Sequence, residues 1–567
     1  MTDLSAADRR AFGWFMLFAL VLLALGIGLR DPWPADEPRF ALAARQMVES
    51  GDWLFPHRGS ELYADKPPLF MWTQAAAFEL LRSWRIAFLL PGLLSGLLTL
   101  ALVWDLGRRL WNPRAGLFAA AATLCAVQFV YQVKRAQIDP LVMAEITLAN
   151  WALLRHCLLG PNWRLYWLGC FAAGLGVITK GVGFLALLML IPYAIARGRG
   201  WPVTKTTAST ARWLAGIVAF IAAIALWLLP MLLAVRARGS AQYVAYARDI
   251  LLHQTAERYA EHWSHPKPFW YFLPVLLLGW FPLSLAWPGA FMRWRQAWRE
   301  RDARVWLPLG WALLVLIFFS ASSGKRDMYV LPMLPMVALA MGPYLHDIAH
   351  ARWLRNTAFA LAAVLGVVAL GYGLWALQGH AAALRMAQNR GLADGGHEVW
   401  IMLASVGGAF LVAALVLRPR HGLHALLVGL LALWTAWSLW AYPLLNDSSS
   451  AAGIMRDAGR IIGPDAQLGL VGWREQNLLM ADRAAVDFGF TAPTAVQFAR
   501  ASAWQAQAPQ QRWVFAIDDA LGTCVNRTKA RRVGVANRRD WWVYRADAVV
   551  PGCVPATAQG AADETGL

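Results

Sequence analysis

Charge is what this sequence has least of. Asp, Glu, Lys and Arg make up 15% of its 567 residues, and 34 acids face 52 bases. A soluble domain carries about 25% charged residues, so a fold wetted on all sides is excluded. Strong internal repeats are absent too, which argues against the inverted-repeat plan of a secondary transporter. The first apolar run follows Arg9 and Arg10 and lacks a small-residue cleavage site, so it is expected to stay as an anchor. Cysteine is scarce, with five in all. Cys125, Cys157 and Cys170 lie in or near apolar runs and read as inert small side chains.

What the chain does have is apolar length. Apolar residues reach 58% and the mean hydropathy is +0.43. Runs of ~20 residues, enough to cross a bilayer, recur near 12–30, 84–107, 115–133, 140–158, 164–180, 182–196, 213–235, 270–291, 305–321, 328–345, 357–377, 399–417 and 422–443. The expected fold class is therefore a polytopic α-helical membrane protein with about thirteen spans. The pair around Lys180 also reads as one broken span.

Orientation follows the bases in the short loops. With the N-terminus in the cytoplasm, Arg108, Arg109, Arg114, Arg197, Arg199, Arg293, Arg295, Arg352, Arg355, Arg418 and Arg420 all fall inside. The net charge of +18 is then largely a topology signal, and no nucleic-acid partner is expected. Bases on the outer side are the exceptions: Arg39, Arg58, Lys66, Lys134, Arg135, Lys180, Arg258, Lys267, Lys325 and Arg326. They suit an anionic ligand such as phosphate, or else snorkelling to lipid headgroups. Cys524 and Cys553 also fall outside, where an oxidising compartment lets them pair.

The expected organisation is a transmembrane part, 1–445, with large outer loops at 31–83 and 236–269. A small soluble α/β domain follows at 446–555, also outside, then a disordered tail, 556–567. In the first loop, Phe40, Ala44, Met47 and Val48 follow a helical period from Glu37 to Glu49, expected as an amphipathic helix at the interface. Pro38 suits its first turn, and Asp36 suits its cap.

The outer face gathers acids and bases: Asp36/Glu37/Arg39, Tyr63/Asp65/Lys66, Lys134/Arg135/Asp139, His262/His265/Lys267 and Lys325/Arg326/Tyr329. Ionisable groups at a membrane tend to be functional. Carboxylates and imidazoles can hold a divalent cation. A cation with Lys and Arg can hold a phosphate leaving group, and a carboxylate can take a proton from an acceptor hydroxyl. These are the parts of a glycosyl transfer from a lipid-linked phosphosugar. Taken singly, each has a plainer reading: a local ion pair at Asp65-Lys66, an interfacial His265, a rigid turn at Pro67-Pro68, belt residues at Lys325 and Tyr329.

An acidic pair after the first span, followed by Tyr63-x-Asp65-Lys66-Pro67-Pro68-Leu69-x-x-Trp72, resembles the lipid A aminoarabinose transferase family, within a superfamily shared with protein O-mannosyltransferases. The resemblance continues through Asp139, Arg258-Tyr259-Ala260-Glu261 to His265, Pro268-Phe269-Trp270-Tyr271, and Gly324-Lys325 to Tyr329-x-x-Pro332. It implies catalytic positions at Asp36 and Asp139. It implies substrate or phosphate contacts at Arg39, Tyr63, Lys66, Arg258, Lys325 and Tyr329. A divalent metal, zinc or magnesium, would be held by Asp65 and His265. Phe40 stands where the family often has Tyr, and Asp65 where many members have Glu.

The resulting expectation is an inverting glycosyltransferase of the bacterial inner membrane, its active site facing the periplasm. A polyprenyl-phosphate sugar would be the donor and lipid A phosphate, or another envelope acceptor, the recipient. Rival readings are transfer to protein or another glycan, a lipid or sugar flippase, and a scaffold working through its C-terminal region. A transporter would place its decisive charges at mid-membrane; here they gather at one face.

Overall fold

The computed structural model describes residues 4–206, 209–252, 267–322 and 324–553. Among the described residues, seven helices are long and apolar enough to cross a membrane. The number is up to nine if the bent pairs Pro113–Cys125 with Val127–Val133 and Phe269–Gly279 with Leu283–Arg299 each count as one span. The remaining expected positions hold Ala6–Ala24, Ile138–Leu158, Trp163–Lys180 and Gly183–Gly198. Charge or shortness weakens each of them. Ala6–Ala24 contains Asp8, Arg9 and Arg10; Ile138–Leu158 contains Asp139, Glu145 and Arg155; Trp163–Lys180 is diluted by Arg164 and Lys180; Gly183–Gly198 is short. By length and apolarity alone, seven spans are marked among the described residues, or up to nine with the bent pairs.

Burial sorts the helices. Asp327–His350 is 83% buried in its apolar window and runs through the centre, whereas Thr210–Arg238 and Arg352–Leu377, at 17% and 22%, turn apolar faces outward as lipid-facing helices do. Small residues set the closest approach. A Cβ on Gly116 would meet the Trp104 carbonyl oxygen at 2.5 Å, so only glycine lets Pro113–Cys125 lie against Leu90–Leu110.

The segment that shapes the site begins where α1 (Ala6–Ala24) ends. The last carbonyls of a helix need partners. The Lys134 ammonium supplies them, donating to the carbonyls of Leu22 at 2.9 Å and Leu25 at 2.7 Å. Lys134, grouped by sequence with the anion-binding bases, is therefore engaged in holding the end of α1. Next comes a buried ion pair. The Arg30 guanidinium donates from Nη2 to Glu37 Oε1 at 2.8 Å and from Nη1 to Glu37 Oε2, with both residues at most 1% exposed. Glu37 also accepts from the backbone N–H of Trp33 at 2.8 Å and of Ala136 at 3.0 Å. Burial opposes its charge, but Arg30, Arg135 and these bonds hold its carboxyl below the usual range.

Helix α2 (Glu37–Ser50) opens with Pro38 in its first turn and closes on Gly51 at φ +74. Asp36 occupies the cap position but makes no capping bond, because its own backbone is helical (φ −96, ψ −28) and not extended. Nor is α2 a surface helix with one wet face. Phe40 and Met47 pack into the membrane bundle, while Ala41 and Leu42 pack into the C-terminal core. Beyond it, β1 (His57–Arg58) and β2 (Glu61–Leu62) form a short hairpin, and Pro68 leads into α3 (Leu69–Leu81).

The C-terminal residues form a five-stranded mixed sheet, β3 (Gln467–Val471), β4 (Ala485–Asp487), β5 (Arg512–Ile517), β6 (Arg531–Ala536) and β7 (Arg539–Tyr544), in the order β4-β3-β5-β7-β6. β3 runs parallel to β4 and β5, and β7 antiparallel to β5 and β6. Helices Ala452–Ile462 and Thr494–Gln507 contribute Ile454, Met455 and Phe498 to its core. Cys524 and Cys553 are disulfide-bonded, as their shared compartment leads one to expect. The sheet is tied to the first loop by Ser60, which donates to Asp487 from its backbone N–H at 2.9 Å and its hydroxyl at 2.7 Å, and by Thr491, whose hydroxyl donates to Glu61 at 2.8 Å.

Two outcomes test these features. Glu37→Gln leaves the Arg30 charge buried and uncompensated and is expected to cost about 3–5 kcal/mol, read as a lowered melting temperature of the purified protein in detergent. An Arg30→Met/Glu37→Leu pair recovers only part, since the Trp33 and Ala136 N–H groups lose their acceptor. The disulfide spans a sequence separation of 29. Opening it with Cys524→Ser and Cys553→Ser is expected to destabilise the sheet by about 3–4 kcal/mol, measured by denaturant titration followed by tryptophan fluorescence.

Candidate active site

Asp36 lies in the turn that the Arg30–Glu37 pair holds in place, and it is 8% exposed. Arg39 Nη1 stands 3.6 Å from its Oδ1, and Arg326 Nη1 stands 3.5 Å from its Oδ2. Both separations exceed an ordinary N–H···O distance. Among the described residues, no hydrogen bond reaches its carboxylate oxygens, so their lone pairs remain available to a ligand. Burial works against the charge, yet Arg326, Arg39, Arg135 and Lys180 together hold the carboxyl below its usual range. The result is a buried carboxylate that stays ionised at neutral pH.

Asp139 stands in the first turn of Ile138–Leu158, and Lys180 is the last residue of Trp163–Lys180. Each sits where the helix dipole favours its sign, the acid at an N-terminus and the base at a C-terminus. The Lys180 ammonium ion-pairs with Asp139 Oδ1 and lies 4.9 Å from the Tyr329 ring centroid. Lys180 thus joins Asp139 and Tyr329 to the Asp36 side of the site.

A second chain of charges runs outward. Arg39 Nε donates to Glu475 Oε1 at 2.8 Å, and Arg58 Nη1 is 3.8 Å from the same oxygen and 3.7 Å from Asp65 Oδ2. The Arg58 guanidinium lies 5.3 Å from the centroid of the Tyr63 ring. Tyr63 is 1% exposed, and burial first, then Asp65, pushes its phenol well above the usual value, so it is present as a neutral O–H donor. Lys66 stands at the rim, its ammonium donating to the Asp65 carbonyl at 3.0 Å.

Of the residues expected from sequence, Asp36, Arg39, Tyr63, Asp65, Lys66, Asp139 and Tyr329 fall on these two connected chains. Lys325 is spent otherwise, its ammonium donating to the carbonyls of Lys267, at 3.0 Å, and Ser322. Its neighbour Arg326 faces Asp36 instead. Arg258 and His265 lie outside the described residues. Phe40 does not line the site; its ring packs edge-on against Phe70 with centroids 5.3 Å apart.

The structure adds groups that the sequence reading did not assign. Lys180 and Arg58 were visible only as bases on the side that topology disfavours, and Arg326 only as a member of the Lys325/Arg326/Tyr329 cluster with no role of its own. Glu475 carried no signal at all: its carboxylate, 5% exposed, comes from the C-terminal part and meets Arg39 across 436 positions of sequence. Together the groups form a cation-rich recess around an unbonded carboxylate, suited to holding a phosphate beside a carbon on which positive charge develops.

The chain is similar to known proteins in sequence and in fold. Residues 65–228 match the family model described as dolichyl-phosphate-mannose-protein mannosyltransferase. The chain is 34% identical over 377 residues to the undecaprenyl phosphate-α-4-amino-4-deoxy-L-arabinose arabinosyl transferase of Pectobacterium carotovorum, covering 63% of this chain and 64% of that protein, just under two thirds of its length. It is 33% identical over 455 residues to the transferase of the same name from Pseudomonas aeruginosa, covering 76% of each. Its fold is that of ArnT from Cupriavidus metallidurans, solved bound to undecaprenyl phosphate, with a TM-score of 0.72 at 20% identity over 95% of this chain and 100% of that one. With a third of its residues shared across three quarters of a full-length relative, this multi-pass membrane chain belongs to the undecaprenyl phosphate-α-4-amino-4-deoxy-L-arabinose arabinosyl transferase family.

Proposed function

We propose that this chain is an inverting glycosyltransferase that moves a sugar from a polyprenyl-phosphate donor to an envelope acceptor, the phosphate of lipid A. The observation that carries it is Asp36, a buried carboxylate with cations at 3.5 and 3.6 Å and no hydrogen bond to either oxygen among the described residues. The donor phosphate meets the bases around it, with Arg39, Lys66, Arg258, Lys180 and Arg326 as candidates and Tyr63 and Tyr329 beside them. An acceptor oxygen forms the new bond to the anomeric carbon from the face opposite the phosphate. The old carbon–oxygen bond breaks, and its electron pair leaves with the polyprenyl phosphate, so configuration inverts.

The electrostatics favour a phosphate acceptor over a hydroxyl. A carboxylate held below its usual range is a weak base at neutral pH. A phosphate is already ionised and needs no base, so Asp36 serves by orienting the acceptor and by stabilising positive charge at the anomeric carbon. Asp139, tied to Lys180, supports the same region. A protein hydroxyl or another envelope glycan as acceptor is the second reading. A flippase is less well supported, because the charged groups gather at one end of the helices.

The proposal includes about thirteen spans, a cytoplasmic N-terminus, and an active site and C-terminal α/β domain in the periplasm of the inner membrane. The basic loops and the Cys524–Cys553 disulfide support this orientation. A divalent cation, zinc or magnesium, on Asp65 and His265 also belongs to it. The Asp65 side chain is 40% exposed at the rim, where Arg58 is its partner at 3.7 Å. Among the described residues, no three His, Cys, Asp or Glu groups gather as a metal site. The described donors are thus incomplete without His265.

Asp36→Asn is expected to lower turnover by about 10²–10³-fold with little change in donor affinity, measured by sugar transfer from a polyprenyl-phosphate donor. Full turnover in that variant removes the catalytic assignment. Mass spectrometry of envelope lipids identifies the acceptor: the modified lipid A species is expected to vanish with Asp36→Asn, and an unchanged lipid A profile moves the search to proteins and glycans. Chelation is expected to depress transfer at least tenfold, as for loss of a metal ligand's support, with zinc or magnesium restoring it. Activity untouched by thorough chelation withdraws the cation.

A further inference from the structure

Away from Asp36, the outer loop between Arg352–Leu377 and His397–Leu417 meets the last hairpin of the sheet. A Cβ on Gly391 would lie 2.6 Å from the Val535 carbonyl oxygen, so loop and hairpin touch at glycine distance. Beside this contact opens a cleft of ≈ 700 Å³ with Met386, Arg390, Val535, Arg538, Arg539 and Asp540 in its walls. The β6–β7 turn presents Asn537 and Arg538 at φ +52 and +62, the tight two-residue form that projects side chains outward.

Two of the cleft's arginines have no ionic partner among the described residues. The lining acid, Asp540, is engaged by Arg532, whose Nε donates to it at 2.8 Å. Neither Arg390 nor Arg538 has an ion-pair or side-chain hydrogen-bond partner among the described residues. The neighbouring surface is apolar: Leu384 and Met386, on the short helix Ala381–Asn389, are 38% and 46% exposed. The end of Arg352–Leu377 packs against that helix, with Trp375, Ala376 and Leu377 clustering around Ala383, and the longer helix is only 22% buried in its apolar window. Guanidiniums with no ion-pair partner among the described residues, near the end of an outward-facing apolar helix and with an apolar step between, match an amphiphile with an anionic head.

We propose that this cleft binds the phosphate-bearing headgroup of a membrane lipid, its chains lying against Arg352–Leu377. The site requires the membrane placement of the chain but not the transfer reaction, so its test needs no turnover. The headgroup comes either from a phosphorylated glycolipid or from an anionic phospholipid.

The test is native mass spectrometry of the full chain and of Arg390→Ser/Arg538→Ser, each titrated in detergent with bisphosphorylated lipid A, phosphatidylglycerol or phosphatidylcholine. Both arginines are exposed and have no ion-pair partner among the described residues, so folding is expected to survive, and an unchanged melting temperature verifies it. Retention of the first anionic lipid is expected to fall about thirtyfold, the effect of removing two basic side chains at a charged surface. Phosphatidylcholine binding is expected to be equal in both proteins. A loss confined to lipid A assigns the site to the glycolipid, and a loss for both anionic lipids assigns it to anionic lipid in general. Equal retention of both anionic lipids by the wild type and the folded variant overturns the proposal, whatever the variant's transferase activity.

Discussion

The Arg30–Glu37 ion pair holds together the corner from which the rest of the site is built. Both charges are fully withdrawn from water, and such a pair recovers little net stability after desolvation. Its effect is positional. Arg30 also donates to the Lys134 carbonyl at 3.1 Å, and Glu37 accepts from the Ala136 N–H. Lys134 in turn closes the last turn of α1. One bidentate contact therefore joins the end of the first helix, the start of α2 and the turn at 134–137. Asp36 precedes Glu37 by one residue and Asp139 follows the turn, so both acids inherit their places from it.

Around that corner, charge is balanced by sharing. Arg39 divides its guanidinium between Asp36 and Glu475, and Arg58 between Glu475 and Asp65. The carboxylate of Glu475 keeps the two arginines from being a surplus of bare positive charge at the membrane surface. The arginine that is only loosely engaged, Arg326, is 40% exposed and lies on the open side of Asp36. The cations around Asp36 thus have positions that are already set, the preorganisation on which electrostatic stabilisation of an anion depends. The C-terminal sheet takes part in that arrangement through Glu475 and through its contacts with the β1–β2 hairpin.

Several features were readable in the sequence because their causes are local. Apolar length marks spans, and among the described residues seven of them, or up to nine with the bent pairs, need nothing more than composition and helix geometry. Pro38 and Gly51 delimit α2 through backbone rules alone. Short apolar runs mark β3 and β5, which are buried along nearly their whole length, and β7, whose second half is mostly buried. Strand β6 is harder to read because Arg531 and Arg532 at its start are exposed and mask the pattern, as suits an edge strand. Asp36 was singled out by its place after a span, but that it makes no capping bond was not legible there.

The sequence by itself determined that this chain enters a membrane, and it drew attention to the acids and bases of the Asp36 and Lys66 regions. Hydropathy and loop charge act over about 20 residues, a scale that a linear reading captures. Only the tertiary structure decided which charges meet. It paired Lys180 with Asp139, turned Arg326 rather than Lys325 toward Asp36, spent Lys134 on the end of α1, and brought Glu475 to Arg39. Ion pairs form over a few ångströms between residues tens to hundreds of positions apart, and nothing in local periodicity encodes that distance.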